Sequence, residues 1–134
     1  MAIFTCRQFG FDWEHRLVAL AIQKGHEARR APKMLPYDAV INGYKVQCKR
    51  KDYQDPCGGV RVARGQKRYK SDDYDVLALN FRERLFFIPA AGLVMPSGTL
   101  ATKVYLHKLL RYENYWSIFE GVGGAATDPQ WMLF

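Results

Sequence analysis

Asn42-Gly43 stands between two runs of β-forming residues, Tyr37 to Ile41 and Tyr44 to Lys51. A two-residue connection needs consecutive residues at positive φ, which asparagine and glycine accept, so the pair marks a tight antiparallel hairpin. Closure on that turn fixes the register: Ile41 faces Tyr44, Val40 faces Lys45, Ala39 faces Val46, Asp38 faces Gln47 and Tyr37 faces Cys48. Alternation then divides the hairpin into two faces. Tyr37, Ala39, Ile41, Tyr44, Val46 and Cys48 make an apolar face for a core; Asp38, Val40, Lys45, Gln47 and Lys49 make a polar one.

The rest of the chain is read around this hairpin. Asp12 to Lys24 has helical spacing through Trp13, Leu17, Leu20 and Ala21, with Asp12 as N-cap and Gly25 as stop. His26 to Lys33 fits a short edge strand, confined by Pro32 and Pro36. Asp52 to Lys70, with Asp55-Pro56 and Gly58-Gly59, reads as a long mobile loop or irregular hairpin able to reach across a ligand. Val76 to Asn80 and Leu85 to Ile88 form a second hairpin around Phe81-Arg82-Glu83-Arg84, ended by Pro89. Thr99 to Arg111 has helical spacing through Leu100, Val104, and Leu109 or Leu110; the aromatic-rich Tyr112 to Phe119 can continue it, and Gly121 to Ala126 reads as a flexible tail. With no internal repeat and 134 residues, the expectation is one mixed α/β domain, a sheet with flanking helices.

Charge narrows the function. Gly43 to Lys70 carries nine basic residues (Lys45, Lys49, Arg50, Lys51, Arg61, Arg64, Lys67, Arg68, Lys70) against Asp52 and Asp55, which accounts for the whole net charge of +7. A field so concentrated favours a polyanion, and Lys and Arg contacts to phosphate supply sequence-independent nucleic-acid affinity. The competing reading is a solvated basic loop. No apolar run approaches the ~20 residues of a bilayer span, and the start, Met1-Ala2-Ile3-Phe4-Thr5-Cys6-Arg7, lacks signal-peptide character. An intracellular protein, bacterial, phage or organellar, is expected. Cys6, Cys48 and Cys57 are odd in number and lack CxxC spacing, which argues for reduced thiols over disulfides or zinc.

The polar face of the first hairpin then gains chemical meaning. Asp38 and Gln47 offer two oxygen donors, with Lys49 two residues along the same strand. Oxygen donors suit a hard cation such as Mg2+, and a lysine beside them can orient a water or offset phosphate charge. Pro36-Tyr37-Asp38 followed by Gln47-Cys48-Lys49 resembles the PD-(D/E)xK nuclease signature. The resemblance extends over most of residues 11 to 90 through Lys24-Gly25-His26, Tyr37-Asp38, Val46-Gln47-Cys48-Lys49, Tyr69, Asp75-Val76 and Phe87-Ile88-Pro89, in the order of the group I intron homing endonuclease branch; Holliday-junction resolvases share that core. It implies a restriction-endonuclease-like fold and a Mg2+-dependent endonuclease (Mn2+ substituting). Asp38 and Gln47 would hold the metal, Glu14 would be the helix acid that supports it, and Lys49 would position the water. Gln47 replaces a carboxylate, which implies weaker metal binding and one strongly held metal rather than two.

Bland readings stand beside these. Glu14 can serve the helix dipole, while Asp38, Gln47 and Lys49 can each be solvated strand residues. Ser71-Asp72-Asp73 and Asp75 suit a turn better than a metal site, the three histidines lack ligand spacing, and Cys48 points to the core. Tyr105, Tyr112, Tyr115, Trp116 and Phe119 suit a subunit interface better than base stacking. The division expected is a catalytic core over 11–90 and an oligomer interface over 91–134. The partners are double-stranded DNA, bound through Lys45, Arg50, Lys51, Arg61, Arg64, Lys67, Arg68 and Lys70, and further copies in a homodimer or homotetramer, with no membrane. A junction resolvase, a non-catalytic basic nucleic-acid-binding protein and an RNA-binding module are the alternatives.

Overall fold

The computed structural model describes residues 6–63 and 69–120, with side chains from Asp12 onward. Arg64, Lys67 and Arg68, named above for DNA binding, lie outside the described residues, as does the tail from Gly121.

One helix, α1 (Cys6–Gln23), is followed by β1 (Ala28–Arg30), β2 (Ala39–Ile41), β3 (Tyr44–Lys51), β4 (Gly59–Arg61), β5 (Val76–Phe81), β6 (Arg84–Pro89) and β7 (Lys103–Tyr105). A five-stranded sheet runs in the order β1-β2-β3-β5-β6, with only the β3–β5 pair parallel. The expected register of the first hairpin holds from the turn to Ala39 opposite Val46, with Asn42 and Gly43 at φ 49° and 85°. Because nothing crowds a Cβ at Gly43, Gly43→Ala tests the backbone alone. It is expected to cost about 1 kcal/mol in urea unfolding, from the positive φ.

Both faces of the sheet are covered. Trp13, Leu17 and Ala21 of α1 pack on Ala39, Ile41, Val46, Cys48, Val76, Ala78 and Phe87. Leu77, Leu79, Phe81, Phe86 and Ile88 face the other way, under a second layer that includes Val60, Leu100, Val104, Leu109 and Tyr112. Burial on both sides explains why β5 is apolar at nearly every position rather than at alternate ones.

Three expectations are corrected. The helix begins at Cys6, so Asp12 is an exposed mid-helix residue and not its N-cap; tertiary packing overrides a local capping signal. Thr99 to Arg111 is not a helix. It holds β7, paired with β4, and short 3-10 turns at Leu106–Lys108 and Leu110–Tyr112, with a further one at Trp116–Phe119. Its apolar residues are spaced to lie across a sheet face, a demand that imitates helical periodicity. The described residues of the Asp52 to Lys70 stretch are not a free loop either, because Val60, Val62, Ala63 and Tyr69 are buried. Asp55 organises its start, accepting the backbone N–H groups of Cys57 (3.0 Å) and Gly59 (2.8 Å) and pairing with Lys103 Nζ at 2.6 Å. A Cβ on Gly59 would come within 2.5 Å of the Lys103 side chain, which explains glycine there.

Tyr112 and Phe119, expected at a subunit interface, are buried in the chain's own core. Phe119 packs edge-on against Tyr44 and Phe87.

Candidate active site

Two residues of the leading strand face one residue of β3 where the site begins. Val46 pairs with Ala39 in the ladder, and its carbonyl also accepts Asp38 N–H at 2.8 Å. Such a bulge turns the side chain of the extra residue away from strict alternation. Tyr37 accordingly packs with the layer that holds Leu77 and Leu79, on the face opposite Ala39 and Ile41, and not with them as strict alternation required. Asp38 does not stand as a ladder partner opposite Gln47. Its Oδ2 accepts Cys48 N–H at 2.9 Å, so the carboxylate stands in for a missing strand beyond Ala39.

The reaimed Asp38 meets Glu14. Glu14, on the same helix as Trp13 and Leu17, is 17 % exposed, lies close enough to Asp38 to feel its charge, and is hydrogen-bonded by Arg30. Burial, and then the negative charge of Asp38, push the Glu14 carboxyl up to about 7, against the pull of Arg30. Arg30 reaches Glu14 Oε2 through Nη2 at 2.7 Å, while its Nε is buried without a hydrogen-bond acceptor. Arg30 was not singled out in the sequence. Its signal was slight: a basic residue on a short edge strand, two positions before Pro32. Cys48 lies beneath, its thiol raised by burial and by these carboxylates, which removes it as a nucleophile.

Gln47 and Lys49 leave β3 on the face opposite Val46 and Cys48, in register with Leu77 and Leu79. Gln47 is buried and Lys49 half-buried. The structure therefore brings Glu14 and Asp38 together directly, while Asp38 spans Gln47 by bonding the residues on either side of it. Among the described residues no three His, Cys, Asp or Glu side chains converge as a metal site. The donor set is nonetheless all oxygen, and two interacting carboxylates with only one arginine between them fit a hard divalent cation.

The basic residues are dispersed. Lys45 donates from Nζ to the Asp72 carbonyl at 2.9 Å, and Arg50 pairs with Glu83 at 3.2 Å. Lys51 is half-buried at the end of β3; Arg61 and Lys70 are exposed. Asp73 and Asp75 accept the backbone N–H groups of Lys70 and Lys45, both at 2.8 Å, in keeping with the turn reading. His26 is hydrogen-bonded to Asn42 and stacked on Trp116. No helix among the described residues is long and apolar enough to cross a membrane.

No protein-family model matches the sequence, and no curated protein matches it. Among solved structures, the bacterial homing endonuclease I-Ssp6803I matches with a TM-score of 0.65 over 90% of this chain and 96% of that one, at 19% sequence identity. A five-stranded mixed sheet with a helix on one face is thus the fold this chain has in common with that endonuclease.

Proposed function

We propose that this protein is a Mg2+-dependent, site-specific DNA endonuclease of the homing type, with Mn2+ able to substitute. The observation that carries the reading is the Asp38 carboxylate, turned out of the ladder by a bulge to hold Cys48 N–H beside Glu14, on a sheet whose fold is shared with a homing endonuclease. Asp38, Glu14 and the Gln47 amide oxygen would hold the metal, whose charge would stabilise the phosphorane-like transition state of hydrolysis. Lys49 orients the attacking water and screens the phosphate. Arg30 keeps one oxygen of Glu14 fixed. With one such site per chain, cutting both strands takes at least two copies, hence a homodimer or homotetramer.

The test is incubation with a randomised duplex DNA library in Mg2+ or in EDTA, followed by sequencing of the ends. Discrete ends at a recurring site, found only with Mg2+, are expected. Retained DNA binding with no ends in either condition would replace the reading by that of a non-catalytic binding protein.

A further inference from the structure

The chain builds the same two-residue turn twice from opposite materials. In the first hairpin Asn42 and Gly43 take φ 49° and 85°. In the second, Phe81 faces Arg84, so the loop is Arg82-Glu83, and these residues sit at φ 50° and 70° with no glycine between them. Residues with a Cβ are strained there, and strain of this kind is kept where the side chains are needed.

Glu83 has a structural use. It accepts Arg16 at 2.6 and 3.2 Å and pairs with Arg50 at 3.2 Å, while its N–H is held by Asn80 Oδ1 at 2.9 Å. Arg82 has none of comparable kind. Its backbone N–H meets the Lys51 carbonyl at 3.2 Å, its Nε donates to the Asp52 carbonyl at 2.8 Å, and its guanidinium lies 5.2 Å from the Phe81 ring centre. These contacts orient the guanidinium without neutralising it. The residue is exposed, and among the described residues no carboxylate forms a salt bridge with it. Beside it an open cleft of about 480 Å³ is walled by Arg82, Arg84, Gln54, His107 and Leu110 among others, with no acid in the wall. Lys51, next to Arg82, is two residues beyond Lys49 on β3, about 7 Å along the strand. That matches about two nucleotides of axial rise at ~3.4 Å each.

We propose that the Arg82-Glu83 turn is a phosphate clamp: Arg82, with Lys51 beside it, takes a DNA backbone phosphate about two nucleotides from the one at Lys49. Glu83 holds the turn and Arg50 in place behind it. The clamp rests on the nuclease reading for its partner, but it contacts the backbone and not the cleaved bond. A mixed-sequence duplex in EDTA therefore suffices as probe.

Binding is measured across salt concentrations for the full chain, Arg82→Gln, Arg82→Asn and Lys24→Gln, the last at the far end of α1. Each arginine variant is expected to bind about tenfold more weakly and to lose about 0.9 from the magnitude of the log K against log salt slope. Arg82→Asn should do so with Tm equal to or above that of the parent, because asparagine relieves the strained turn; a merely structural arginine would lower both together. An unchanged slope, or the same loss in Lys24→Gln, overturns the clamp. A parent chain that binds no duplex overturns the nuclease reading and the clamp with it. Slope loss in a chain that never cleaves supports the clamp and overturns only the catalytic reading.

Discussion

In Mg2+, Asp38→Asn and Lys49→Ala are each expected to reduce strand cleavage by about a thousandfold, the scale on which a positioned acid, base or metal ligand acts. Duplex affinity is expected to stay level or rise slightly in Asp38→Asn, because removing an anion lessens its repulsion of phosphate. The choice of asparagine matters. Asp38 holds Cys48 N–H through Oδ2, and the amide oxygen of asparagine can accept the same bond. Alanine would leave that N–H without its partner at about 1–3 kcal/mol, mixing a folding defect with the chemical one. Cleavage rates at saturating protein, with Tm measured beside them, decide the matter. Cleavage by Asp38→Asn at the parent rate would remove Asp38 from the chemistry and with it the proposed metal site.

The parts of this site legible in the sequence are those fixed by local geometry. Asn42-Gly43 dictates its own turn, and the turn dictates the register through Ala39 and Val46. The second hairpin was legible as two apolar runs, although its Arg82-Glu83 loop breaks the rule that made the first one obvious. What local pattern could not carry was the bulge at Asp38, since one extra residue reverses the face of every residue before it. Strict alternation thereby places Tyr37 in the layer opposite its own and pairs Asp38 with Gln47, a pairing the ladder does not contain. Arg30 was hidden for a related reason. Its importance comes from a contact with Glu14 sixteen residues earlier in the chain, and neither residue alone announces it. The β4–β7 pair joins Gly59 to Tyr105 across the sequence, and such pairing leaves only three-residue strands too short to show a period of two.

Without metal, the folded protein is expected to lose stability as pH rises from about 5 to about 8, through the single carboxyl of Glu14. The carboxyl titrates near 7 in the fold against an ordinary value of 4.5. At pH below 4.5 it is protonated in both folded and unfolded chains, so the fold bears no penalty. Between the two values the unfolded chain gives up this proton while the folded chain retains it, and folding becomes less favourable with each step. Above about 7 the folded site must hold the ionised Glu14 carboxylate, buried beside Asp38 and paired with Arg30, and the loss is complete. Asp55, Glu83 and Glu113 shift in the opposite direction, held down by Lys103, Arg16 and Arg84, so their effects fall below the ordinary carboxylate range and outside this window. Tm in EDTA should therefore fall by about 5 °C across the interval, and Glu14→Gln, which is uncharged at every pH, should remove most of that fall. Every other ionisable group is common to both proteins, so the difference between the two curves isolates Glu14. A parallel pair of curves would mean that the Glu14 carboxyl ionises normally despite its burial against Asp38. A divergent pair would mean that the site carries uncompensated negative charge above neutral pH, the condition under which a divalent cation gains most by binding there.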